Sequence, residues 1–140
     1  RYFDQTGTAE PAFPFGFGLS YTTFAYSDLA VDTSSFATDG TVRVEFTIGN
    51  TGSRAGAEVA QVYVRDVAAS VARPIKELKG FTKVTLTPGQ QTTVSVVLDR
   101  RAFAYYDTTS ADWVVEPGAF ELLVGSSSRD IRLSQTINLP

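Results

Sequence analysis

Apolar and polar residues alternate along most of the chain beyond residue 22. In Glu58-Val-Ala-Gln-Val-Tyr-Val-Arg-Asp66, Ala60, Val62 and Val64 fall on one face, while Val59, Gln61, Tyr63 and Arg65 fall on the other. Side chains of a strand point alternately to opposite faces, so this stretch predicts a central strand of a half-buried sheet. Ile75-Lys-Glu-Leu-Lys-Gly-Phe81 predicts a shorter edge strand, with Lys76, Glu77 and Lys79 kept in water to discourage pairing with other chains. Thr23–Asp32 predicts a strand whose apolar parity shifts between Phe24/Tyr26 and Leu29/Val31, which places a bulge near Ser27. Gly40–Asn50 sets Val42, Val44, Phe46 and Ile48 inward, and Gln91–Asp99 does the same with Val94, Val96 and Leu98. Thr82–Leu86 gives a further short strand. Phe120, Leu122 and Val124 line another, and Ile131, Leu133 and Ile137 the last.

Turn signals separate these runs. Asn50-Thr-Gly52 reads as a turn that tolerates positive φ, and Pro88-Gly89, Pro117-Gly118 and Gly125–Asp130 mark others. Asp99 is placed to cap one helical turn in Asp99–Tyr106. About seven short strands, with no long amphipathic helix, predict an all-β sandwich over residues 23–140.

Residues 1–22 follow another rule. Pro11-Ala-Phe-Pro-Phe-Gly-Phe-Gly18 breaks both helix and strand, yet Phe13, Phe15, Phe17 and Tyr21 are too many aromatics for a solvated linker. An irregular aromatic N-terminal segment of this kind is expected to pack against another surface. With no Met in the chain, Arg1 is not expected to be a start of translation, and a longer polypeptide is expected. The Gly16-Phe-Gly18 spacing lacks the strand, third glycine and helix of a phosphate-binding turn.

Composition narrows the chemistry. A net charge of −3 and scattered basic residues argue against a nucleic-acid partner. No apolar run is long enough for a membrane helix. With no Cys and no His, the chain has no thiol chemistry, no His-containing catalytic triad and none of the usual metal ligand, and no cofactor is expected. Low Lys with abundant Ser and Thr suits a secreted protein.

Two carboxylates suffice to hydrolyse a glycosidic bond, but Asp4, Asp66, Glu77, Asp99, Asp107, Asp112, Glu116 and Asp130 mostly flank turns, where solvation, turn formation and capping account for them. Asp99, Asp107 and Asp112 match no known calcium loop. Tyr105, Tyr106 and Trp113, with the N-terminal phenylalanines, offer rings on which a sugar can stack. Packing of Trp113 and Tyr105 into or over the core is the expected alternative.

Phe13-Pro-Phe-Gly-Phe-Gly-Leu-Ser-Tyr-Thr-Thr-Phe24 is similar to the segment that opens the C-terminal fibronectin type III-like domain of glycoside hydrolase family 3. Asn50-Thr-Gly52, Ala55–Glu58, Gln61–Val64, Arg73–Phe81, Trp113, Pro117-Gly118 and Val124–Ser128 resemble its later motifs in order, so the resemblance covers essentially the whole chain. It implies a fibronectin type III-like, immunoglobulin-like β-sandwich that is non-catalytic alone and packs against the upstream catalytic domains of a β-glucosidase. The family's nucleophile and acid/base carboxylates lie in those upstream domains, so no catalytic residue transfers to this chain. By position, Arg1, Tyr2, Phe3, Asp4, Phe13, Phe15 and Phe17 are expected to touch them. A carbohydrate- or surface-binding module is the alternative from another class, and a free-standing adhesion domain is a third.

Overall fold

The computed structural model describes residues 22–67 and 76–140. In chain order these form β1 (Phe24–Asp32), a single helical turn α1 (Phe36–Asp39), β2 (Val42–Asn50), β3 (Gly56–Asp66), β4 (Glu77–Leu86), β5 (Gln91–Leu98), a 3-10 turn (Arg100–Phe103), β6 (Tyr105–Asp107), β7 (Asp112–Val114), β8 (Gly118–Ser127) and β9 (Asp130–Leu139). One sheet runs β1-β2-β5 and the other β4-β3-β8-β9, while β6 and β7 form a separate hairpin. Every pairing is antiparallel. This is the seven-stranded sandwich that the alternation predicts, with one small hairpin added.

The strictest alternation makes the spine. Val42, Val44, Phe46 and Ile48 of β2 are fully buried and face Ala60, Val62 and Val64 of β3 and Phe120, Leu122 and Val124 of β8 within one core. The bulge expected near Ser27 is present: the β1–β2 register shifts between Ser27 and Ala30, with Asp28 at φ 58°. Asp99 caps the 3-10 turn, its Oδ1 accepting from the Ala102 amide at 3.3 Å.

Four details differ from the sequence expectation. First, β3 is buried on both faces over its middle, since Gln61 and Tyr63 are also inaccessible. In register beside them stand Leu78 and Phe81 of β4 and Leu123 of β8. The Tyr63 hydroxyl donates to Gln61 Oε1, and Gln61 Nε2 has no partner among the described residues. Second, Ile75–Phe81 and Thr82–Leu86 are not two strands, because Glu77–Leu86 runs as one edge strand. A register shift opposite Val62/Tyr63 leaves Lys79 out of the pairing and reverses the expected exposure. Lys79 joins Glu77 at 3.1 Å, half-sheltered, while Leu78 and Phe81 stand in water. Gly80 then approaches β5 so closely that a Cβ would lie 2.7 Å from Val96 Cγ1. Third, α1 has no counterpart in the periodicity, since one turn that buries only Phe36 is too short to show a repeat. Fourth, the final turn is only Ser128-Arg129, because β8 continues to Ser127 and β9 starts at Asp130.

The turn after β2 also works differently from its expected φ preference. None of Asn50, Thr51 and Gly52 has positive φ. Asn50, 2% exposed, acts through its side chain. Its Oδ1 accepts from Thr22 Oγ1 at 3.0 Å and from the Gly52 amide at 2.9 Å. Its Nδ2 donates to the carbonyls of Arg54 at 2.8 Å and Leu86 at 3.0 Å. Its own amide donates to Gln90 and its carbonyl accepts from Gly89, both at 2.9 Å. Gly52 must lie against Thr22 to allow this, since a Cβ there would fall 1.8 Å from Thr22 Oγ1.

Asn50→Ala would strand the buried Leu86 carbonyl, at a cost of about 1–3 kcal/mol, together with the part-buried Arg54 carbonyl and Gly52 amide. We therefore expect a loss of about 3 kcal/mol or more by denaturant unfolding, against less than about 0.5 kcal/mol for the exposed neighbour Thr51→Ala. Equal stability of the two variants would contradict this role for Asn50.

Candidate functional site

The chain leaves the core at the end of β5, where Leu98 pairs with Val42 at the start of β2. The 3-10 turn that follows is divided by burial. Ala102 and Phe103 enter the core, while Arg100 and Arg101 stay exposed. Phe103 sits in a column of rings, edge-on to Phe36 at 5.9 Å and to Phe120 at 5.3 Å. Arg100 lies 4.8 Å over the Phe36 ring and Arg101 lies 4.4 Å over Trp113. A guanidinium over an aromatic face is held by the ring's negative quadrupole.

The β6–β7 hairpin carries the aromatic candidates. Tyr106 pairs directly with Trp113, and their rings meet edge-to-face at 5.6 Å and 75°. Asp107 shapes the turn, its carboxylate accepting from the Thr109 amide at 3.0 Å and from Ser110 Oγ at 3.2 Å. Asp112 Oδ1 accepts from the Trp113 amide at 2.8 Å. Trp113 is 47% exposed and Tyr106 51%, which overturns the expectation that Trp113 packs into or over the core. The cause is topological, because the hairpin belongs to neither large sheet. Tyr105 is half-buried. The two exposed rings do not form a flat platform. Trp113 alone of the two borders, with the 3-10 turn and Asp39, an open cleft of about 590 Å³.

Arg1, Tyr2, Phe3, Asp4, Phe13, Phe15 and Phe17 lie outside the described residues, as does most of the Val67–Pro74 loop. Asp99, Asp107 and Asp112 do not converge on one ion; each is engaged in its own cap or turn. Among the described residues no three carboxylates are grouped to hold a metal. Glu77 pairs with Lys79, Glu121 with Arg65, and Asp130 with Arg132.

One polar cluster escaped the sequence reading, although its signal was present: Glu58 shares the inward parity of Ala60, Val62 and Val64. It is buried where β1 meets β9. Tyr26 donates to Glu58 Oε2 at 2.9 Å, and the Arg132 guanidinium lies 5.2 Å over the Tyr26 ring. Arg132 also donates to the Phe24 carbonyl at 2.8 Å and grips both oxygens of Asp130 at 2.7 and 2.8 Å. Ser126 Oγ donates to the same carboxylate at 2.5 Å. Burial pushes the Glu58 carboxyl above its ordinary value of 4.5, although the Tyr26 hydrogen bond and Arg132 pull the other way. Burial, followed by the neighbouring Glu58 charge, pushes the Tyr26 hydroxyl upward. The hydrogen bonds from Arg132 hold Asp130 below its ordinary value.

These two carboxylates give opposite pH signatures. A raised folded value means that the unfolded chain releases its proton first, so Glu58 makes stability fall as pH rises from 4.5 through its raised value. Asp130 contributes stability above its unfolded value that is lost as pH drops below 3.8. No His or Cys side chain titrates above that window to obscure the Glu58 effect. Glu58→Gln retains an oxygen for Tyr26 and removes the charge. Thermal unfolding followed upward from pH 4.5 should show a declining melting temperature for the native sequence relative to a flatter profile for the variant. Identical slopes would contradict the assignment.

Residues 58–128 match the family of the fibronectin type III-like domain. The chain is 52% identical over 139 residues to the thermostable beta-glucosidase B of Acetivibrio thermocellus, covering 99% of this chain and 18% of that protein. It is 47% identical over 139 residues to the exo-alpha-(1->6)-L-arabinopyranosidase of Bifidobacterium breve, again with 99% and 18% coverage. The crystal structure of a glycoside hydrolase family 3 beta-glucosidase from Bifidobacterium adolescentis superposes with a TM-score of 0.83 at 45% identity. That match covers 91% of this chain and 18% of the other. The chain thus spans about a fifth of the length of these relatives.

Proposed function

Because the chain belongs to the fibronectin type III-like domain family, we propose that it is the non-catalytic C-terminal domain of a family 3 glycoside hydrolase, stabilising that enzyme by packing against its upstream catalytic domains. The observation that carries this reading is the asymmetry of coverage: nearly all of this chain corresponds to 18% of a β-glucosidase. The parent reaction is then removal of a terminal β-linked glucosyl residue by two carboxylates of the upstream domains, through a covalent intermediate and without a cofactor. Here the acidic side chains of the seam, the caps and the turns are already committed to structure.

Packing is proposed through Arg1, Tyr2, Phe3, Asp4, Phe13, Phe15 and Phe17. The outward apolar residues Leu78 and Phe81, 42% and 64% exposed on the edge strand, add surface that upstream domains of the same polypeptide would cover. The arabinopyranosidase among the relatives argues that this domain does not dictate the sugar removed.

In the whole polypeptide, Phe15→Ser combined with Phe17→Ser should lower the melting temperature and the hydrolysis of an aryl β-glucoside. With each burial worth about 1.5–3 kcal/mol, the shift should be several degrees. An unchanged melting temperature and rate would remove the packing role, and no hydrolysis by the native polypeptide would remove the parent activity.

A further inference from the structure

We propose that the cleft between Asp39, the 3-10 turn and the β6–β7 hairpin is a saccharide-binding site for a neutral pyranoside. Its volume of about 590 Å³ falls within the range of small-molecule sites. It is lined by Asp39, Asp99, Arg100, Arg101, Trp113 and Val115. Three observations select the ligand class.

Trp113 is half-exposed, with Arg101 over one face of its ring at 4.4 Å and the Tyr106 ring edge-to-face at 5.6 Å, so the ring is fixed and only its remaining exposed surface can meet a ligand. An exposed ring fixed before binding loses little freedom when a flat apolar face settles on it. The C–H face of a pyranose is such a surface. Asp39 is exposed in the lining of the same cleft, and its carboxylate makes no hydrogen bond or ion pair among the described residues. A carboxylate accepts from two adjacent hydroxyls at once, and Arg100 beside it can donate to a third. Finally, two carboxylates and two guanidiniums balance in charge, which suits a neutral ligand better than an anionic one.

Trp113 is the sole tryptophan of the chain and reports on the cleft directly. Cellobiose and cellotetraose are suitable probes; choosing glucosides rests on the function proposed above, whereas the site does not. Titrated into the 140-residue chain, they should give a saturable change in tryptophan fluorescence with half-saturation on the order of 1 mM, the tetraose binding more tightly. Asp39→Ala, at an exposed position, should weaken binding about tenfold while leaving the melting temperature unchanged. Trp113→Ala, followed by calorimetry, should abolish binding. Neither probe binding to a folded chain, with its cooperative melt intact, would overturn the proposal. So would a chain that binds neither sugar but whose Trp113→Ala variant destabilises the whole polypeptide, since a protein surface would then cover the cleft. A negative result leaves the packing function intact, because no upstream domain takes part in this experiment.

Discussion

A single buried side chain with every hydrogen-bonding group engaged ties the two sheets together at one end. Asn50 belongs to the sheet β1-β2-β5, but its amide nitrogen donates to Leu86, the last residue of β4 in the other sheet. Its oxygen holds Thr22 at the entry to β1, and its backbone anchors the turn into β5 at Gly89 and Gln90. Hydrophobic burial is non-directional and would tolerate the two layers sliding. Hydrogen bonds at fixed distance and angle do not, so this residue sets where the sheets sit relative to each other.

That constraint leaves the far end of β2 for other purposes. Val42, at the start of β2, pairs with Leu98, after which the chain forms the 3-10 turn and the hairpin. From Val42 to Asn50, eight steps at about 3.3 Å each, roughly 26 Å of strand separates the Asn50 knot from the end of the sandwich that carries the Trp113 cleft. Structure is concentrated at one end and exposed aromatic and charged groups at the other. The Glu58–Tyr26–Arg132 cluster closes the flank where β1 meets β9, at the cost of burying a carboxylate. Such an arrangement suits an accessory domain: a self-contained sandwich with surface left over for neighbours or ligands.

Much of this was legible in the sequence. Period-two alternation located β2, β3, β5 and β8 and their inward residues because one face of each strand meets the core. The parity shift after Tyr26 revealed the bulge for the same reason. Where the reading failed, the cause was non-local. Lys79 turns sheltered and Phe81 exposed because of a register shift against β3, which no local pattern encodes. Trp113 stands exposed because its hairpin pairs only with itself, and a strand of three residues cannot show which sheet it joins. Asn50 was recognised as a turn residue, but its contacts come from Thr22, Arg54 and Leu86, up to 36 positions away.

The proposal that this domain works as part of a much larger enzyme has a direct physical consequence, because it fixes the size of the native polypeptide. The intact mass of the native polypeptide that carries this sequence in its source cell tests it most directly. The 18% share of the relatives predicts about five to six times the 15.1 kDa of the chain. A native mass near 15.1 kDa would contradict the claim and leave a free-standing sandwich whose function rests on its own surface.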